Sequence, residues 1–77
     1  MLTARELVVL TLIVDGLTNP EIAERLTNSP RTVQSHVKSL MRKFGAHTRT
    51  QLAVYALRAG LVALHPAADS GSHPIAA

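Results

Sequence analysis

The sequence predicts an all-α fold: a compact four-helix domain with helices at about 3–15, 19–26, 30–44 and 49–59, followed by a disordered C-terminal tail. Three observations predict it. A capping side chain stands before each apolar segment, the apolar residues recur at steps of three and four, and a glycine or a turn closes each segment. The chain has 77 residues and no Cys, so its helices must share one core, and no disulfide supports that core.

The first helix begins at Thr3, three positions before Glu6. This is capping-box spacing, in which the Thr hydroxyl accepts from the Glu N–H and the Glu carboxylate accepts from the Thr N–H. Leu7, Leu10, Val14 and Leu17 follow at steps of three and four, and Gly16 closes the helix, because a left-handed residue there satisfies the last carbonyls without a Cβ clash. Thr18 and Glu21 repeat the capping box for the second helix. Pro20 is tolerated in its first turn, and Ile22, Ala23 and Leu26 give it a narrow apolar stripe. Thr27-Asn28-Ser29 form a three-residue turn, with Ser29 capping the third helix ahead of Pro30.

In the third helix Val33, Val37, Leu40, Met41 and Phe44 occupy the inner face, and Gly45 ends it. Thr48 caps the fourth helix, where Leu52, Ala53, Ala56 and Leu57 are expected on the core side and Gln51, Val54, Tyr55 and Arg58 on the outer side. Residues 65–77 hold Pro, Ser, Gly and Ala without periodicity. They bury too little apolar area to offset their ordering entropy, so the domain is expected over 1–64 and a disordered tail over 65–77.

Composition excludes several classes of function. The longest apolar stretch, Leu7 to Val14, falls well short of the roughly 20 residues of a membrane span. The absence of Cys and of a secretory pattern fits the cytoplasm. His36, His47, His65 and His73 lack metal-ligand spacing, so no metal or cofactor is expected. There is no Gly-rich phosphate loop, no catalytic Cys and no cluster of carboxylates, so the chain does not read as an enzyme.

The net charge is +3, and its placement matters more than its size. Six of the eight basic residues, Arg25, Arg31, Lys38, Arg42, Lys43 and Arg49, lie between 25 and 49, an interval without Asp or Glu. A short helix, a three-residue turn and a longer helix, preceded by a supporting helix, match a helix-turn-helix reader whose second helix enters the major groove of double-stranded DNA. With the apolar face of the third helix turned inward, Arg31, Gln34, Ser35, Lys38 and Arg42 remain outside. Arg and Lys pair with guanine acceptors, Gln with adenine, and Ser with either base. Thr32 and the N–H groups of that helix start are suited to phosphate, as is Arg42. The rival reading is a helical protein-interaction module that docks through Leu7, Val8, Val54 and Tyr55 and controls another regulator without touching DNA. The acid-free basic face disfavours it.

Leu2-Thr3-Ala4-Arg5-Glu6, Val9-Leu10, Gly16-Leu17-Thr18-Asn19, Glu21-Ile22-Ala23, Leu26, Ser29, Thr32-Val33, His36-Val37, Lys43-Phe44-Gly45 and Arg49-Thr50-Gln51 resemble, in order and spacing, the LuxR-type (NarL/FixJ-type) helix-turn-helix domain over residues 2–62. The resemblance implies the C-terminal output domain of a bacterial response regulator or quorum-sensing regulator, with a receiver or sensor domain upstream if the chain is a fragment, the alternative being a free-standing regulator. It implies binding to inverted-repeat promoter sites as a homodimer, regulating transcription, with RNA polymerase as a further partner. By the same resemblance, Arg31, Gln34, Ser35 and Lys38 face bases, and Asn19, Thr32 and His36 lie near the DNA backbone. The fourth helix is similar to the family's dimer-forming helix, and its small patch of Gln51, Val54, Tyr55 and Arg58 predicts a dimer that is weak without DNA. Leu7 and Val8 stand where the family has polar residues, which leaves apolar surface outside the first helix.

Overall fold

The computed structural model describes residues 1–63, and the tail expected at 65–77 lies outside them. Four α-helices make up the described part: α1 (Ala4–Val14), α2 (Asn19–Leu26), α3 (Pro30–Phe44) and α4 (Arg49–Arg58). Each begins at the expected cap. Thr3 and Thr18 form complete capping boxes with Glu6 and Glu21, Ser29 accepts from the Thr32 N–H, and Thr48 accepts from the Gln51 N–H.

The core is a single cluster to which every helix contributes. Val9, Leu10, Leu12 and Ile13 of α1 meet Ile22 and Ala23 of α2, Val33 and Leu40 of α3, and Leu52 and Ala56 of α4, with Ala46 filling the α3–α4 loop. α3 packs against all three other helices, so its inner face is fully committed and its outer face is left to solvent. No helix among the described residues is long and apolar enough to cross a membrane.

The structure adds one feature to the expectation and alters another. The turn after α2 places Thr27 in the left-handed region, at φ 58°. A β-branched residue is strained there, whereas Gly45 takes the same conformation after α3 at φ 64° without a Cβ penalty. The altered feature is the roll of α4. Leu52 and Ala56 are buried, but Ala53 and Leu57 are only half-buried, and Tyr55, expected on the outer side, packs against the core. Six successive apolar residues, Leu52 to Leu57, give α4 little amphipathic phase, and packing against α1 and α3 chooses the roll instead.

Candidate nucleic-acid interface

The turn between α2 and α3 is set by chemistry at both ends. The Asn28 N–H donates to the Ala23 carbonyl at 2.9 Å, closing α2, and the Ser29 hydroxyl accepts from the Thr32 N–H at 3.1 Å, opening α3. From there Arg31, Gln34, Ser35, Lys38 and Arg42 follow at steps of three, one, three and four. That spacing puts them in one row on the helix, and all five are exposed. The row contains no carboxylate, and none of its side chains bonds to another described residue. Five donor-bearing side chains therefore project from a helix of 15 residues whose opposite side is core.

The start of α3 is more fully used than the sequence indicates. Thr32 N–H is capped by Ser29 and Val33 N–H donates to the Ser29 carbonyl, while Pro30 has no N–H, so Arg31 supplies the N–H still open toward an anion. The Thr32 hydroxyl lies 3.0 Å from the Ser29 hydroxyl. Whichever of the pair donates, one hydroxyl hydrogen remains for an acceptor outside. His36 is half-buried and stands apart from the exposed row. It shares its flank with Ser39 and Lys43, at steps of three and four, on the side that meets Glu6 of α1.

That flank carries a clasp the sequence did not reveal. Glu6 is 5% exposed, and beyond its capping role it joins α1 to α3. Its Oε1 accepts from Lys43 Nζ at 2.7 Å and its Oε2 from Ser39 Oγ at 2.7 Å; Lys43 Nζ also donates to the Met1 carbonyl at 2.8 Å. The Lys43 ammonium foremost, then the Ser39 hydroxyl and the Thr3 N–H, hold the Glu6 carboxyl at about 2, below its ordinary 4.5. Lys43 thus serves the fold. Arg49 does likewise, donating to Asn19 Oδ1 and to the Leu17 carbonyl, both at 2.7 Å. Arg25 lies one helical turn beyond Glu21 on α2 and helps hold that carboxyl below its usual range, after the Thr18 hydrogen bonds. Of the six cations between 25 and 49, the structure leaves Arg31, Lys38 and Arg42 on the exposed row.

On α4 the residues expected outside are divided. Val54 is half-buried and Arg58 exposed, whereas the Gln51 amide oxygen accepts from the His47 N–H at 2.7 Å and Tyr55 faces the core. The apolar surface around Val54 is instead extended by Ala53 and Leu57. On α1, Leu7 and Val8 are exposed, at 38% and 42%. Among the described residues no group of three or more His, Cys, Asp and Glu side chains comes together to hold a metal.

A short helix, a tight turn and a longer helix with an exposed polar row, braced by helices on either side in sequence, define a helix-turn-helix domain. The chain belongs to the luxR family of bacterial regulatory proteins, whose family model matches residues 1–56. It is 48% identical over 61 residues to the transcriptional regulatory protein LiaR of Bacillus subtilis, a match covering 79% of this chain and 29% of LiaR. It is 46% identical over 59 residues to the response regulator Rre1 of Synechocystis, covering 77% of this chain and 26% of Rre1. With the oxygen regulatory protein NreC of Staphylococcus aureus it shares 42% identity over 62 residues, covering 80% and 29% of the two chains. The chain thus spans less than a third of the length of these curated relatives.

Proposed function

We propose that this domain, over residues 1–64, binds double-stranded DNA at promoters as the output module of a cytoplasmic transcription regulator, and that it performs no catalysis. The observation that carries the proposal is the row of Arg31, Gln34, Ser35, Lys38 and Arg42. It is exposed, free of carboxylates and mounted on the helix that follows the turn. Laid in the major groove, Arg31, Gln34, Ser35 and Lys38 address base edges, while Arg42, at the far end of the row, addresses a phosphate. The Thr32 hydroxyl and Asn19, at the starts of α3 and α2, contact the backbone and fix register, with His36 beside them. Two copies paired through Val54, Arg58 and their neighbours on α4 would bind an inverted repeat. The patch is too small for a firm dimer in solution, so pairing acts as cooperativity on DNA. The names of the relatives support a sensing or receiver portion elsewhere in the whole protein.

The test is selection from a random duplex library followed by competition titrations. A DNA-reading domain enriches a common motif and prefers it over random duplex by at least about 10³-fold at physiological salt. No enrichment, with no salt-dependent binding of random duplex, would leave the protein-interaction reading, for which the exposed Leu7 and Val8 supply the surface.

A further inference from the structure

Arg49 stands at the first residue of α4, half-buried, and among the described residues its side chain bonds only to atoms just before and at the start of α2. Its Nη2 donates to the Leu17 carbonyl and its Nη1 to Asn19 Oδ1, each at 2.7 Å. A guanidinium carries donors and no acceptor, so the amide atom that faces it is the oxygen. The bond to the Leu17 carbonyl holds the planar fork in place, and the second bond then leaves the Asn19 amide one orientation, with its NH2 on the side away from Arg49. Among the described residues nothing accepts from that NH2 or from the Asn19 backbone N–H. The rest of the turn is occupied: Thr18 N–H donates to Glu21 Oε1, Glu21 N–H to the Thr18 hydroxyl and Ile22 N–H to the Thr18 carbonyl, and Pro20 has no N–H.

We propose that Arg49 is a positioning residue for DNA binding: by holding the Asn19 carbonyl oxygen inward, it presents the Asn19 amide NH2 as a donor to a phosphate oxygen of DNA. The inference rests on the DNA-binding function proposed above. Phosphate oxygens only accept, so an amide turned the other way would meet them with a second acceptor. Arg49 acts through Asn19 and does not touch DNA, since its fork is directed at Leu17 and Asn19. Burial also lowers the guanidinium's pKa, as expected of a cation turned from solvent. One side chain thereby sets both the start of the helix proposed to pair two copies and the turn proposed to hold the DNA backbone.

The test is a double-mutant cycle of Arg49→Gln and Asn19→Ala on binding to a short random-sequence duplex, with thermal melting of every variant to confirm folding. Wild-type protein that fails to bind the duplex refutes the DNA-binding function itself. Given wild-type binding, each single variant should raise Kd about tenfold, the loss of one hydrogen bond to a charged group, and the double variant no further. The salt slope should stay at the wild-type value, because the lost contact is a neutral amide. Additive losses, or a slope lower by about one in Arg49→Gln, would overturn the proposal by making Arg49 an independent contact. If Arg49→Gln does not fold, Asn19→Asp decides: its carboxylate still accepts from Arg49 but donates nothing. The variant should then melt no lower than wild type and bind at least about tenfold more weakly. Binding equal to wild type would overturn the proposal.

Discussion

Arg42 and Lys43 are neighbours with the same charge, and the structure gives them different work, which a salt titration can separate. If all six cations between 25 and 49 neutralised phosphates, log K would fall against log salt with a slope of about 5.4, at about 0.9 per phosphate. Lys43 is bonded to Glu6, Arg49 to Leu17 and Asn19, and Arg25 lies beside Glu21. Arg31, Lys38 and Arg42 remain, which caps the slope at about 2.7 per bound copy even if the two that address base edges also displace counterions. Arg42→Ala should lower the wild-type slope by about 0.9, the loss of one phosphate contact. Lys43→Ala should leave the slope unchanged and instead lower the melting temperature, because the buried Glu6 carboxylate loses its cation. The assay is fluorescence anisotropy on a duplex long enough for one copy, repeated across a salt series and paired with thermal melts. A wild-type slope near about 5, or equal slope losses in the two variants, would refute the division of cations drawn from the structure.

Gln34→Ala removes an exposed side chain, so it should leave stability unchanged and cost about 1–3 kcal/mol on the selected site; equal losses on random duplex would remove Gln34 from base reading. Val54→Asp should fold and bind one half-site but lose cooperativity on a two-site duplex, and retained cooperativity would move the pairing surface to Leu7 and Val8. Glu6 has a folded pKa depressed from 4.5 to about 2, so the stability it carries is full above 4.5 and is lost as pH falls toward 2. Glu6→Gln should therefore melt lower at neutral pH and decline less steeply through that acid window, and parallel melting curves would contradict the clasp. Thr27→Gly should raise stability by about 0.5–1 kcal/mol, since relief of the left-handed backbone exceeds the entropy glycine adds to the unfolded chain. A lower urea midpoint would show that the Thr27 side chain matters more than the strain.

Most of the fold was legible because its signals are local. Thr3 with Glu6, Thr18 with Glu21, Ser29 before Pro30, and Thr48 are caps read within four residues, and each helix starts where its cap stands. The exposed row on α3 was legible for the same reason, as one helix with a clear apolar face fixes the other face. What escaped was non-local. Glu6 meets Ser39 and Lys43 across 33 and 37 residues, and Arg49 meets Asn19 across 30, so sequence identified the charged groups without pairing them. Lys43 and Arg49 were thus counted only in the regional positive charge, and both are spent on the fold. The Tyr55 and Leu57 positions failed differently: a helix that is apolar nearly all round has no phase to read.

The exposed row of α3 also bears on how such a domain could be retuned. Arg31, Gln34, Ser35 and Lys38 bond to no other described side chain, and surface substitutions of that kind usually shift stability by less than about 0.5 kcal/mol. The groups that hold α3 in place, Val33, Leu40, Ser39 and Lys43, lie on its other sides. A library randomised at the four outer positions should consequently be almost entirely folded, and its members should differ in the duplex they select far more than in how they melt. Recognition and foldability occupy separate sides of one helix, which makes this chain a scaffold on which new operator preferences can be written without repacking the core.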